Sequence, residues 1–457
     1  MDTRIEHDML GEKVLPSSVY WGIHTQRAIE NFSLSGRRVS LSLIRAIAMV
    51  KKACAKANRD LGYLAPEKAQ VIMAACDEIV AGELQGHFPV DALQGGAGTS
   101  THMNVNEVLA NRGLEMMGHA KGDYKELHPL DDVNLHQSTN DVYPTAVKVA
   151  AIIQLRSLSA GIAELQGALQ RKEKEFASIV KLGRTEMQDA VPLTLGAEFS
   201  GWAEAIGRDR WRTFKCEERL RVVNMGGTAV GTGIGAPRDY IFLVIEKLRE
   251  VTGLGLSRAE NVVGETANAD VFVEVSGILK AHAVDILKVA NDLRLMNMLG
   301  EIKLPAVQAG SSIMPGKVNP VVLEAAVQAA LKVFANDMLV TEAASRGTGQ
   351  IVEFMPLLAD ALLGSLELLS NTSVMLVRHI DGVTADESRC RYYFDRSRTI
   401  ITAFLPVVGY DRCNELLKEF DAAEEENLRA FLTARLGVET VDKVLSPHNL
   451  VGLGYRK

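Results

Sequence analysis

Proline placement constrains this chain more than any other feature. None occurs between Pro144 and Pro192, Pro237 and Pro305, Pro320 and Pro356, or Pro356 and Pro406. Proline breaks a helix interior by removing an N–H and clashing with the preceding turn. Each gap therefore leaves room for a helix of unusual length. The residues filling the gaps agree. Ala, Leu, Glu and Lys abound, and aromatics are only 5%. In the first gap Leu155, Leu158, Ile162, Leu165, Leu169 and Phe176 recur at three- and four-residue steps, apart from the last. That is a heptad-like stripe on one helix face. In the second, Val271, Val275, Ile278, Ala281, Ile286, Val289 and Leu293 spread over several faces. Such a helix needs burial almost all round. Side by side these helices predict a long bundle, with stripes too wide for one chain to cover and hence an oligomer.

The organisation predicted is mostly α and in three parts. Residues 1–140, broken by Gly, Pro and Asn clusters, hold shorter helices. Residues 141–390 form a central long-helix bundle, and residues 391–457 a small helical C-terminal domain. At 457 residues the chain has ample length for this, and 47% apolar content excludes general disorder. A net charge of −7 argues against a nucleic-acid partner. No run of about 18 apolar residues is seen, so no membrane span is expected. The first ten residues carry acids and no apolar signal region. Cys54, Cys76, Cys216, Cys390 and Cys413 are odd in number and far apart. They read as reduced thiols of a cytoplasmic protein, with neither a disulfide framework nor zinc spacing.

Four polar clusters interrupt the helical background. Gly95-Gly96-Ala97-Gly98-Thr99-Ser100 lacks the Lys of a phosphate loop. It reads as backbone able to approach a small anion, with two hydroxyl donors, or as a plain N-cap at Ser100. Gly231-Thr232-Gly233-Ile234-Gly235 follows a helical pattern and is no dinucleotide fingerprint. Gln137-Ser138-Thr139-Asn140-Asp141 precedes the first long helix. It fits a carboxylate cradle at a helix N-terminus, and equally a capping box. Gly183-Arg184-Thr185-Glu186-Met187-Gln188-Asp189 reads as a buried polar network or a solvated interhelix loop. Gly310-Ser311-Ser312-Ile313-Met314-Pro315-Gly316-Lys317-Val318-Asn319-Pro320 is the most specific. A loop closing over a small dicarboxylate needs its hydroxyls, cation and amide. No HExxH helix and no Gly-x-Ser-x-Gly elbow occur.

Gly310 to Pro320 resembles the signature loop of the aspartase/fumarase superfamily. The resemblance extends through Arg4-Ile5-Glu6-His7-Asp8, Gly22-Ile23-His24-Thr25, Arg27 to Phe32, and Phe88 to Asn111, and on to the C-terminal LSPHNL. Gln94 to Ser100 is closer to the aspartate ammonia-lyase branch than to class II fumarases. The resemblance implies a homotetramer with sites built from three chains, a small dicarboxylate substrate and no cofactor. It implies Ser311 as the base that takes the proton beside a substrate carboxylate. Thr99, Ser138 and Thr139, with Ser312, would donate to the resulting dianion, and Ser100 would lie beside them. Lys317 and Asn319 would hold the other carboxylate, and Asn140 would face the leaving amine. Members of the family usually carry Asn where this chain has His102, His or Gln where it has Glu186, and Asn where it has Val352. Arg346 is also atypical, and only Asn297-Met298-Leu299 stand where a Gly-Pro-Arg turn is usual. The expectation is elimination of ammonia from L-aspartate to fumarate. Lysis of an N-substituted aspartate, fumarate hydration and a non-catalytic scaffold are the alternatives.

Overall fold

The Pro-free stretches are helical along most of their length. A computed structural model, describing residues 2–454, has five long helices: Thr139–Glu175, Leu195–Leu220, Asp270–Leu299, Val321–Ser345 and Met355–Asp381. The first stripe is buried as its spacing predicts, with Leu155, Leu158, Ile162, Leu165 and Leu169 at most 2% exposed. The second is only partly covered. Val275, Ile286, Val289 and Leu293 are buried, yet Val284 on the same helix is 49% exposed. One window of Thr139–Glu175 is apolar enough by composition to span a bilayer, although it holds no unbroken apolar run of that length. It is 61% buried inside the protein, the behaviour of a core helix.

Helix Thr139–Glu175 runs through Pro144. A proline there cannot donate to the carbonyl four residues back, which is Asn140. The Asn224 side chain fills the gap, donating its Nδ2 to Asn140 O at 2.9 Å. The helix survives its proline because a neighbour satisfies the orphaned carbonyl.

The chain divides into two compact units, each assembled from three stretches. The first comprises Met1–Leu158, Arg212–Lys280 and Lys332–Leu368. In it Leu41–Asp60 packs on Pro66–Ala81 and Arg238–Thr252, and Pro66–Ala81 on Thr99–Met116. Helix Ile23–Asn31 begins at Gly22, which has no side chain to cap it. Glu107, from the middle of Thr99–Met116, takes over. Its carboxylate accepts from Gly22 N (2.9 Å), His24 N (2.8 Å), Thr25 N (3.1 Å) and Thr25 Oγ1 (2.6 Å). Burial pushes this carboxyl up to about 7 against those four donors. Glu107→Gln presents an NH₂ to donors that need an acceptor. It is expected to lower stability by about 1–3 kcal/mol, read from denaturant melts of both proteins.

The second unit comprises Ser159–Trp211, Ala281–Leu331 and Leu369–Lys457. Its core joins the hairpin Val180–Thr185/Gln188–Thr194 to the C-terminal helices, through Val180, Leu182, Phe394, Phe404, Leu416 and Phe431. The sequence reading allowed a loop between helices over residues 183–189. The structure has a β-hairpin there, with an irregularity between Leu182 and Arg184. Both readings of its polarity hold in part. Lys181 and Arg184 meet the fully buried Glu301 at 3.2 and 2.7 Å, while the hairpin tip is exposed. A second hairpin, Thr3–Asp8 with Gly11–Pro16, stands where shorter helices were expected. All five cysteines are free and buried.

Candidate active site

The start of helix Thr139–Glu175 carries a reciprocal cap. Ser138 Oγ accepts from Asn140 N at 3.2 Å, and Asp141 Oδ1 accepts from Ser138 N at 3.0 Å. Asp141 is fully buried, and its other oxygen accepts from Gly226 N and Thr228 N at 3.2 and 3.1 Å. Burial raises its carboxyl to about 7. Beneath this turn lies Lys51, also fully buried, donating to Asn134 Oδ1 and Gln137 Oε1, both at 2.8 Å. Burial pushes its ammonium down to about 7. Asn140 donates Nδ2 to Ala229 O at 2.7 Å. So the cluster is a capping box, and it is also held rigidly from below with Ser138, Thr139 and Asn140 half-buried at its rim.

The Gly95–Ser100 segment adjoins it. Gly96, Ala97 and Gly98 take φ of 81°, 56° and 95°, three left-handed residues in a row. Helix Thr99–Met116 then starts at Thr99, and its N-cap is Gly98. The plain N-cap at Ser100 is thereby corrected: Ser100 lies inside the first turn, where N–H groups have no intrahelical partner. A Cβ on Gly98 would sit 2.4 Å from the Tyr143 ring, so only glycine lets this loop reach the other helix. Thr99 is exposed and donates Oγ1 to Gly96 O at 2.7 Å. His102, one turn in, places Nδ1 2.8 Å from Thr139 Oγ1. Two helix N-termini thus converge, bringing Thr99, Ser100, Ser138, Thr139 and Asn140 into one neighbourhood with positive dipole ends. Thr139 and Asn140 line a pocket whose other walls include Lys148, Glu265, Phe272 and Val352. Lys148 and Glu265 are an ion pair there. The sequence reading missed Lys148, Glu265, Lys51 and Asn224. A lysine set in the apolar run before Ala53 was the one available hint of Lys51.

In the second unit, residues 304–320 form no helix or strand. Gly310 N donates to Lys317 O, and Asn319 Nδ2 to Gly310 O, both at 2.7 Å. These bonds close the loop into a ring. Within it Ser311 Oγ accepts from Ile313 N at 3.2 Å and Met314 N at 2.9 Å. Two backbone amides aimed at one hydroxyl oxygen favour its ionised form. Ser312 and Lys317 are exposed, and Asn319 is half-buried. Glu186 is exposed at the hairpin tip with φ 52°. Among the described residues no group of three His, Cys, Asp or Glu side chains is arranged to hold a metal ion.

Comparison with known proteins gives this geometry a family. A family described as lyase matches residues 11–335. Aspartate ammonia-lyase of a Bacillus species is 42% identical, covering 100% of this chain and 99% of that one. Aspartate ammonia-lyase of Escherichia coli K12 is 42% identical over 99% of this chain and 97% of its own. Among solved structures, a fumarate lyase:delta crystallin from Brucella melitensis superposes with a TM-score of 0.93 at 45% identity, covering 98% and 99% of the two chains. Class II fumarase from Schistosoma mansoni superposes at 0.91 with 29% identity, over 99% and 100%. The chain is a fumarate-forming lyase with the mostly α aspartase/fumarase-like fold, and it belongs to the aspartase/fumarase superfamily, on the aspartase-like side.

Proposed function

We propose that this protein is an aspartate ammonia-lyase, eliminating ammonia from L-aspartate to give fumarate. The observation that carries the mechanism is Ser311 Oγ held as acceptor of two loop amides. A free serine is far too weak an acid to serve as a base. Amide donors and the nearby Lys317 stabilise its oxyanion, which removes the proton from the carbon beside one carboxylate. That carboxylate becomes an aci-carboxylate dianion. Ser138 and Thr139 donate to it from one helix N-terminus and Thr99 from the other, its hydroxyl turning from Gly96 O to the substrate; Ser100 supports it with its first-turn N–H, and Ser312 adds a further hydroxyl. Lys317 and Asn319 hold the other carboxylate. Asn140, with Nδ2 already given to Ala229 O, turns Oδ1 to the departing ammonium. Glu186 adds a carboxylate near that ammonium, favouring an amine over water as leaving group. No organic cofactor takes part.

The complete site is proposed to draw on three chains of a homotetramer. Val284 on one long helix and Leu331 and Met338 on another, 49%, 51% and 62% exposed, are the surface such an assembly would cover. The enzyme would work in the cytoplasm, without nucleic-acid or membrane partners. The test runs the reaction in reverse, with fumarate and ammonium in D₂O followed by proton NMR. The expected product is L-aspartate carrying one deuterium at C3. Malate as the sole product would assign the chain to the fumarases.

A further inference from the structure

We infer that His102 is a positioning residue for Thr139, donating Nδ1–H to Thr139 Oγ1 and so turning the hydroxyl hydrogen toward the substrate dianion. The inference rests on the reading of Thr139 as a dianion donor. His102 is 1% exposed, and among the described residues the one hydrogen bond of its ring is the 2.8 Å contact to Thr139. Nε2 is buried, with no partner among the described residues. Burial, aided by the charge of Lys51, keeps the ring neutral, so it carries a single N–H.

That proton has two places to sit. On Nε2 it would be a buried donor with no acceptor, and Nδ1 would take the Thr139 hydrogen for itself. On Nδ1 it is bonded, and Thr139 keeps its own hydrogen to give. A bound anion settles the balance, because a hydrogen bond to a charged acceptor is about twice as strong as a neutral one. Donation into Oγ1 also polarises the hydroxyl and makes it a better donor. The effect grows as charge develops, so it belongs to kcat more than to KM.

The geometry separates the two ring nitrogens. An asparagine at 102 can set an amide N–H near the place of Nδ1, whereas a glutamine reaches toward the place of Nε2. The experiment is steady-state kinetics with L-aspartate on the full-length enzyme and its variants, with thermal melts alongside. Thr139→Val is expected to lower kcat about 10²–10³-fold. His102→Leu is expected to lower it about tenfold with KM little changed. In the Thr139→Val background, His102→Leu should cost less than about twofold, since the partner is gone. His102→Asn should restore most of the rate and His102→Gln should not. Should His102→Leu fail to fold, the Asn and Gln pair still decides. A His102→Leu loss that persists undiminished beside Thr139→Val, or equal rates for Asn and Gln, overturns the role of His102 and leaves the function intact. Wild-type activity in Thr139→Val would instead overturn Thr139 as a donor.

Discussion

Replacing Ser311 with alanine is expected to lower kcat by about 10³–10⁴, the upper range for loss of a general base, with KM little changed. Ser311 is half-buried in a loop and anchors no core element. Its Oγ accepts two amides, from Ile313 and Met314. Those amides can turn to water when the oxygen is gone, so the melting temperature should hold. The loss would therefore be chemical. Formation of fumarate absorbance from L-aspartate, measured for both proteins at saturating substrate, checks this. Full activity in Ser311→Ala would mean that another group takes the proton.

The second large effect needs no catalytic group removed. A Cβ on Gly310 would lie 2.8 Å from both Asn319 N and Lys317 O, closer than a real Cβ contact allows. Those atoms belong to the backbone that closes the loop, so the ring must open. Ser311 follows Gly310 directly, and Lys317 and Asn319 lie across the ring from it. Gly310→Ala is expected to cost about 10²-fold or more in kcat/KM, the scale set by misplacing a reacting group by about 1 Å. Because residues 304–320 lie outside every helix and strand, unfolding should occur at nearly the wild-type temperature. An unaltered rate would show that the ring is not the working shape of the loop.

Much of the scaffold was legible in the sequence because its signals are long. A stripe from Leu155 to Leu169 repeats often enough to define a face, and the absence of proline leaves room for long helices. The hairpins were not legible. Val180–Thr185 is six residues with an irregularity beside Gly183, too short and too broken for alternation to show. The Thr3–Asp8 hairpin turns through Met9-Leu10, without the Asn-Gly or Asp-Gly pair that usually announces one. In the candidate site, the polar clusters were visible as exceptions to the apolar pattern, and their partners were not. Lys51 and Lys52 are neighbours in sequence. One lies fully buried on Asn134 and Gln137, and the other pairs with Asp77 at a more exposed place. Only tertiary structure distinguishes them. His102 likewise stood out as a departure from the family pattern, but its meaning depends on Thr139, 37 residues away. Glu186 shows the converse. Its departure from the family pattern was readable, while the single chain leaves it in solvent at the hairpin tip.

The measurement that bears most directly on the central claim is the parallel incubation of the purified protein with L-aspartate and with L-malate, followed by the ultraviolet absorbance of fumarate. Rapid signal from aspartate and little from malate is the expected result. It would make His102, Val352 and the short 297–299 segment compatible with aspartate chemistry. Signal from malate alone, or from neither substrate, would contradict the assignment as an aspartate ammonia-lyase.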